Sequence, residues 1–144
     1  MAIHFYEVET ASGLKQKRKL VTFLNNLAKE HLAVEKVNVA YVFCTDAYLL
    51  EKNLQFLQHD TYTDIITFDL STDKAILEAE IYISVERIRE NAQKFSVGYQ
   101  QELHRVIFHG MLHLCGFKDK KQEDKETMTG MENKCLAAYL RHEV

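Results

Sequence analysis

Residues 99–115, YQQELHRVIFHGMLHLC, constrain the fold more than any other stretch of this 144-residue chain. Wound at about 100° per residue, they put Leu103, Val106, Ile107, Gly110 and Leu114 on one arc and Phe108 and Leu112 on the far side. A helix that is apolar nearly all round has no solvent face, so this one is expected at the centre of the molecule, with other elements on both sides. Gly116 follows as a left-handed C-cap. The remaining side of the wheel carries His109 and His113, one turn apart, and Glu102 lies on the same stripe two turns nearer the N-terminus. Imidazoles on a buried helix have ring nitrogens that must find partners. The stretch therefore raises a question of chemistry as well as of packing.

The other elements follow from periodicity. HFYEVE (4–9), VNVAYVFC (37–44), DIITFDL (64–70) and EAEIYIS (78–84) are rich in β-branched and aromatic residues and read as strands. The last two, joined by the polar link STDKA, are expected to pair as a hairpin. Residues 14–31 have helical spacing, with Leu20, Phe23, Leu24, Leu27 and Ala28 on one side. Asp46 is placed as the cap of a helix running to about residue 57, and Ser84 as the cap of VERIRENAQKF, where Glu86–Arg89 and Arg87–Glu90 form surface pairs. Residues 121–141 read as a last amphipathic helix with Met128, Met131, Cys135, Leu136, Ala138 and Tyr139 to bury. There are no repeats, no low-complexity tract and no linker. The order β-α-β-α-β-β-α-α-α predicts an α+β fold: a single domain over residues 1–144, a mixed sheet of about four strands covered by helices, and the histidines on a central helix.

Composition narrows the partners. Net charge is −3, which argues against coating nucleic acid by bulk attraction, because phosphate binding draws on Lys and Arg. A local basic groove stays open. The lysines of KDKKQEDK (118–125) are interleaved with acids and read as a solvated helix start rather than an RNA patch. No apolar run reaches the roughly 20 residues of a membrane span, and the N-terminus lacks a charged-then-apolar leader pattern. Cys44, Cys115 and Cys135 are widely spaced in apolar surroundings and read as buried free thiols. A reducing, cytoplasmic setting is expected, with no membrane partner and no nucleotide cofactor.

Imidazoles at i and i+4 project the same way and can bite one metal ion. Neutral imidazole suits zinc. After the turn at Gly116 the chain supplies Asp119, so the spacing becomes H-x3-H-x5-D. Three protein ligands, His109, His113 and Asp119, describe a catalytic zinc with an open fourth position. A closed structural site would want a further ligand, usually cysteine, and Cys115 points to another side of the helix. The bland alternative is two hydrogen-bonded histidines and no metal. Gly110 follows His109, so the HExxH pair of metalloproteases is absent, and no carboxylate is evident beside the site to take a proton from water. That argues against peptidase activity.

At these residues the chain resembles the YbeY-type endoribonuclease family. The family signature runs H-G-x-L-H-L-x-G-[YF]-D-H, and HGMLHLCGF (109–117) matches its first nine positions. Upstream, NLQFLQHDTYTDIITF (53–68) is similar to the family's N-x-x-[YF]-R-x-x-D segment and following strand at Asn53, Phe56, Asp60, Thr63, Asp64 and Phe68. EAEIYIS and the Glu102-Leu103 pair also correspond, so the resemblance spans about residues 37–140. It implies a zincin-like domain and a single-strand-specific endoribonuclease that depends on one zinc ion. It also implies roles in small-subunit rRNA 3′-end maturation and ribosome quality control, with rRNA, the ribosome or ribosomal proteins as partners.

Two departures stand out. The third family ligand is His, where this chain has Asp119, and Lys118 fills the family's Asp position. The family arginine, a candidate phosphate contact, is Leu57 here; His59, Lys52, Arg105 and Lys118 are the cations that could stand in. His59 and Asp60, just before the 64–70 strand, are candidates for substrate contact or proton transfer, against a solvated loop with local hydrogen bonds. Glu102 is a candidate for contact with the histidine site, against a solvated carboxylate in the first helical turn. Either water or the ribose 2′-hydroxyl can be the attacking group. Two rival functions remain: a zinc-dependent peptidase or amidohydrolase, which needs a carboxylate base at the site, and a non-catalytic ribosome-associated module in which zinc only holds the fold.

Overall fold

The computed structural model describes residues 2–57 and 63–141. Among them the elements run β1 (Ala2–Glu7), α1 (Lys17–His31), β2 (Lys36–Cys44), α2 (Asp46–Lys52), β3 (Ile65–Asp69), β4 (Ile76–Ser84), α3 (Val85–Lys94), α4 (Tyr99–Leu114) and α5 (Gln122–Arg141). The expected α+β class and element order are both present: five α-helices and one mixed four-stranded sheet. The strand order is β1-β2-β4-β3; β1 and β4 lie parallel to β2, and β3 pairs antiparallel with β4 as the expected hairpin. None of the described helices is long and apolar enough to cross a membrane.

Alternation along the strands sends Val37, Val39, Tyr41 and Phe43 of β2, and Leu77, Ala79, Ile81 and Ile83 of β4, into the main core. That face is covered by α1 and α4, with α3 and α5 packed beside α4. The far side of α4 is covered too: Phe108 lies 5.1 Å from Phe23 of α1 and 5.7 Å from Tyr139 of α5, ring to ring. This is the central position that its all-round apolarity requires. A smaller cluster on the other face joins Leu49 and Tyr48 of α2 to Val42, Ile66, Phe68 and Tyr82.

Two features press α4 onto the sheet. The Tyr41 hydroxyl, fully buried, donates to the Ile107 carbonyl at 2.9 Å. Gly110 faces β3 and β4 so closely that a Cβ would come 3.0 Å from Ile65 Cδ1 and 3.1 Å from two atoms of Ile81. The glycine after His109 therefore sets the depth of the histidine helix.

Element boundaries moved for local reasons. The first strand lies at Ala2–Glu7 rather than 4–9, because Glu9 takes φ 63 and Glu7 turns back to accept the Ser12 N–H at 2.6 Å. The first helix starts at Lys17 because Gln16, at φ 53, is left-handed. Thr45, not Asp46, caps α2; its hydroxyl accepts the Tyr48 N–H. Asp46 instead takes a two-pronged contact from Arg87, at 3.0 and 3.2 Å. The helix expected to reach residue 57 stops at Lys52 and widens into a π-helical turn, Asn53–Leu57, where Asn53 is buried. Such turns are frequent at functional sites. Ser84 caps α3 as expected, and Gly116 ends the histidine helix at φ 102.

Candidate active site

A cavity of about 600 Å³ opens along one side of α4, where the start of β3, the end of α3 and the middle of α5 meet it. His109, His113, Asp119 and Glu102 all line it, so the residues singled out on the histidine stripe and its following turn do converge. Asp64, Arg105 and Glu132 line it with them. His59 and Asp60 lie outside the described residues.

His109 is held from two sides. Its Nδ1 lies 2.7 Å from Glu132 Oε2 and its Nε2 lies 3.2 Å from Asp119 Oδ2. A carboxylate can only accept, so Nδ1 carries a proton. Glu132 is fixed in turn: Arg105 donates to its other oxygen at 2.8 Å and to Asn133 Oδ1 at 2.7 Å. His113 is held by the chain itself, with Nδ1 donating to the Phe117 carbonyl at 2.8 Å. The turn at Gly116 brings that carbonyl round. In both rings the Nδ1 proton is anchored, which leaves Nε2 as the nitrogen available to a ligand. That is the pattern by which metal-binding imidazoles are oriented.

Charge is concentrated here. Among the described residues, four carboxylates, Asp64, Glu102, Asp119 and Glu132, line the cavity with one guanidinium and two imidazoles. Burial lifts the Asp64 carboxyl above its ordinary range, with Glu132 and Asp119 adding and His109 opposing. Burial lifts Glu102 as well, against the pull of Arg105. For His109, burial works against the charged ring, but the Glu132 hydrogen bond and the charges of Glu132, Asp119 and Asp64 outweigh it and raise its pKa. The carboxylates around His109 Nε2 make it a place where positive charge is welcome.

The donor set fits a metal in its chemistry. Tetrahedral zinc with bonds near 2.0–2.1 Å separates a nitrogen and an oxygen ligand by about 3.4 Å, close to the 3.2 Å between His109 Nε2 and Asp119 Oδ2. The third donor is less closely gathered. The His109 and His113 rings are 5.9 Å apart, and among the described residues no group of three His, Cys, Asp or Glu side chains is assembled so that it could hold an ion. The fit is therefore good at His109 and Asp119 and open at His113. Cys115 is not part of it; burial pushes its thiol up to about 11.

Two sequence readings need correction. Glu102 is not a solvated first-turn carboxylate: it is only 4% exposed and faces the cavity, because α3 and β3 close over the start of α4. Carboxylates near the histidines are also present, where none was evident from the helix. Glu132 was missed, although its position carried a signal. It interrupts the buried stripe Met128, Glu132, Cys135, Tyr139 of α5, and an acid at such a place needs a partner. Asp64 was matched only as part of a motif. Of the three described cations considered as stand-ins at Leu57, Lys52, Arg105 and Lys118, Arg105 is the one in the cavity wall, and it serves Glu132.

Comparison with known proteins agrees with this picture. A profile of the family described as endoribonuclease YbeY matches residues 5–140. The chain is 45% identical over 136 residues to a Cytophaga hutchinsonii protein named endoribonuclease YbeY, covering 94% of each chain. It is 46% identical over 122 residues to the protein of that name from Bacteroides thetaiotaomicron, covering 85% of this chain and 88% of that one. In fold it is similar to TM1509 from Thermotoga maritima, solved in solution, with a TM-score of 0.61 at 24% identity over 95% of this chain and 88% of that one. A profile match over nearly the whole length, with relatives at this identity, makes the chain an enzyme of the hydrolytic nuclease class and a member of the endoribonuclease YbeY family.

Proposed function

We propose that this chain is a single-strand-specific endoribonuclease of one domain, zincin-like in layout, that works with one zinc ion held by His109, His113 and Asp119. Its substrate is ribosomal RNA at the small-subunit 3′ end, and its setting is cytoplasmic ribosome maturation and quality control beside ribosomal proteins. One observation carries the metal reading: the two imidazoles anchor their Nδ1 protons on Glu132 and the Phe117 carbonyl, and Asp119 faces His109 Nε2 at 3.2 Å. Family membership carries the RNA reading.

When bound, the ion supplies Lewis-acid polarisation of a phosphate oxygen and a more acidic water. The residues do the rest. Glu132, braced by Arg105, keeps His109 facing the cavity with its Nδ1 proton in place. Asp64, lifted by burial, suits acceptance of a proton from the attacking hydroxyl at its carboxylate. An acidic cavity repels RNA phosphate, so positive charge from bound metal fits the electrostatics of phosphodiester binding. Carboxylates near the site also meet the requirement set for a peptidase. The family match, not the cavity, favours RNA over peptide.

The test is metal content and cleavage of single-stranded RNA by wild type, His109→Ala and Asp119→Ala, each checked for fold by circular dichroism. Wild type is expected to carry about one zinc per chain, and both folded variants far less, with loss of cleavage. Full occupancy in Asp119→Ala would remove the aspartate from the site. Absence of zinc from every sample, despite supplementation, would favour the non-catalytic module.

A further inference from the structure

The cavity wall contains one feature that metal chemistry does not use. Phe95 lines the cavity and is 58% exposed, among the most exposed large apolar side chains of the protein. Among the described residues it is the one Phe, Tyr or Trp on that wall. A single exposed phenylalanine is ordinary on a protein surface. This one is displayed on a fixed turn. α3 ends at Lys94, and the Phe95 N–H donates to the Asn91 carbonyl at 2.9 Å. Ser96 then takes φ 55, and the Val97 N–H closes back on the Ala92 carbonyl at 2.9 Å. The backbone beneath the ring is therefore held at three successive residues. Lys94 places its ammonium 5.6 Å from the ring centroid, and Asn91, one turn earlier on α3, lines the same cavity.

We infer that Phe95 is the platform on which one unpaired nucleobase of the RNA stacks, with Lys94 beside it to meet the backbone phosphate. The inference rests on the reading of RNA as substrate and names the residue that makes the site select single strands. An aromatic ring next to a cation is the unit by which proteins hold single-stranded nucleic acid; every base has a face to stack, so such a platform tolerates sequence. A base in a duplex already has both faces covered and cannot lie on Phe95 without being pulled out of its stack. The cavity beyond the ring then receives the phosphate that follows the stacked base.

The chain has no tryptophan, so Phe95→Trp introduces a single indole reporter at this position. Three proteins are compared, wild type, Phe95→Ala and Phe95→Trp, with circular dichroism as the fold control. The probe is a short fluorescein-labelled single-stranded RNA, read by anisotropy, alongside the same sequence as a duplex. Phe95→Ala is expected to weaken single-strand binding by roughly five- to a hundredfold, and Phe95→Trp to keep it within about twofold. Unlabelled single-stranded RNA should quench the indole saturably, and duplex should not. Unchanged binding by Phe95→Ala, or an unquenched indole in a variant that binds RNA, overturns the platform and leaves the RNA reading intact. If wild type itself fails to bind the single strand, the RNA reading falls and takes the platform with it.

Discussion

His109 stands between two acids, and each does a different job. Asp119 competes for Nε2, the position a metal would take; Glu132 holds Nδ1, the position that fixes the ring. Glu132 can hold it because Arg105 occupies its second oxygen, so a carboxylate only 7% exposed is paired on both sides. Replacing Glu132 by Gln leaves size and one acceptor but adds an N–H. With Arg105 taking the amide oxygen, the amide N–H faces His109 Nδ1 and favours the tautomer that protonates Nε2. The expected result is a folded protein that binds zinc about 10- to 100-fold more weakly, measured by competition with a chelator of known affinity. Unchanged affinity would mean that Glu132 serves packing and the Arg105 pair alone. At this scale the signal of the site was partly legible: the H-x3-H-x5-D spacing is local, and Glu132 could have been suspected as an acid in an apolar stripe.

The histidine helix works as an element because it is clamped. Tyr41 ties it to β2, and Gly110 lets it approach β3 and β4. Gly110→Ala puts a methyl group 3.0 to 3.1 Å from Ile65 and Ile81, so these side chains must move by a few tenths of an ångström, and Ile81 is fully buried. Overpacking of this kind costs about 1–3 kcal/mol, offset by up to about 1 kcal/mol of helix propensity. A net loss of about 1 kcal/mol is expected from urea unfolding, with weaker zinc binding because His109 moves with the helix. A stabilised variant would show that β3 can shift outward. The sequence marked Gly110 as part of a motif and placed it on an apolar arc. What it faces depends on where β3 and β4 lie, and no periodicity within α4 carries that.

At the scale of the molecule, the core is complete without any ion. It is built from Val37, Val39, Tyr41 and Phe43 of β2, their neighbours on β4, and the apolar faces of α1, α4 and α5. The site lies at the edge of that core, in a cavity open to solvent. Chelation is therefore expected to leave the far-ultraviolet circular dichroism spectrum unchanged and to lower the thermal midpoint only by the mass-action term for a ligand bound to the native state. Collapse of the spectrum on chelation would instead assign zinc a structural role and support the non-catalytic alternative.

The sequence by itself determined the order of elements, the central placement of the 99–115 helix, the hairpin of β3 and β4, and the choice of His109, His113 and Asp119 as candidates, all three of which line one cavity. Each of these rests on periodicity or spacing within a few turns of chain. Only the tertiary structure decided that Glu102 is buried, that Asp64 joins the histidines, and that Glu132, 23 residues beyond His109, takes its Nδ1 proton. It also decided that Phe95 stands at the cavity wall. Those relations join α3, α4, α5 and β3 across space. Their cause is the packing of helices onto one face of a sheet, which brings distant carboxylates together at a cost in charge repulsion that a cation can relieve.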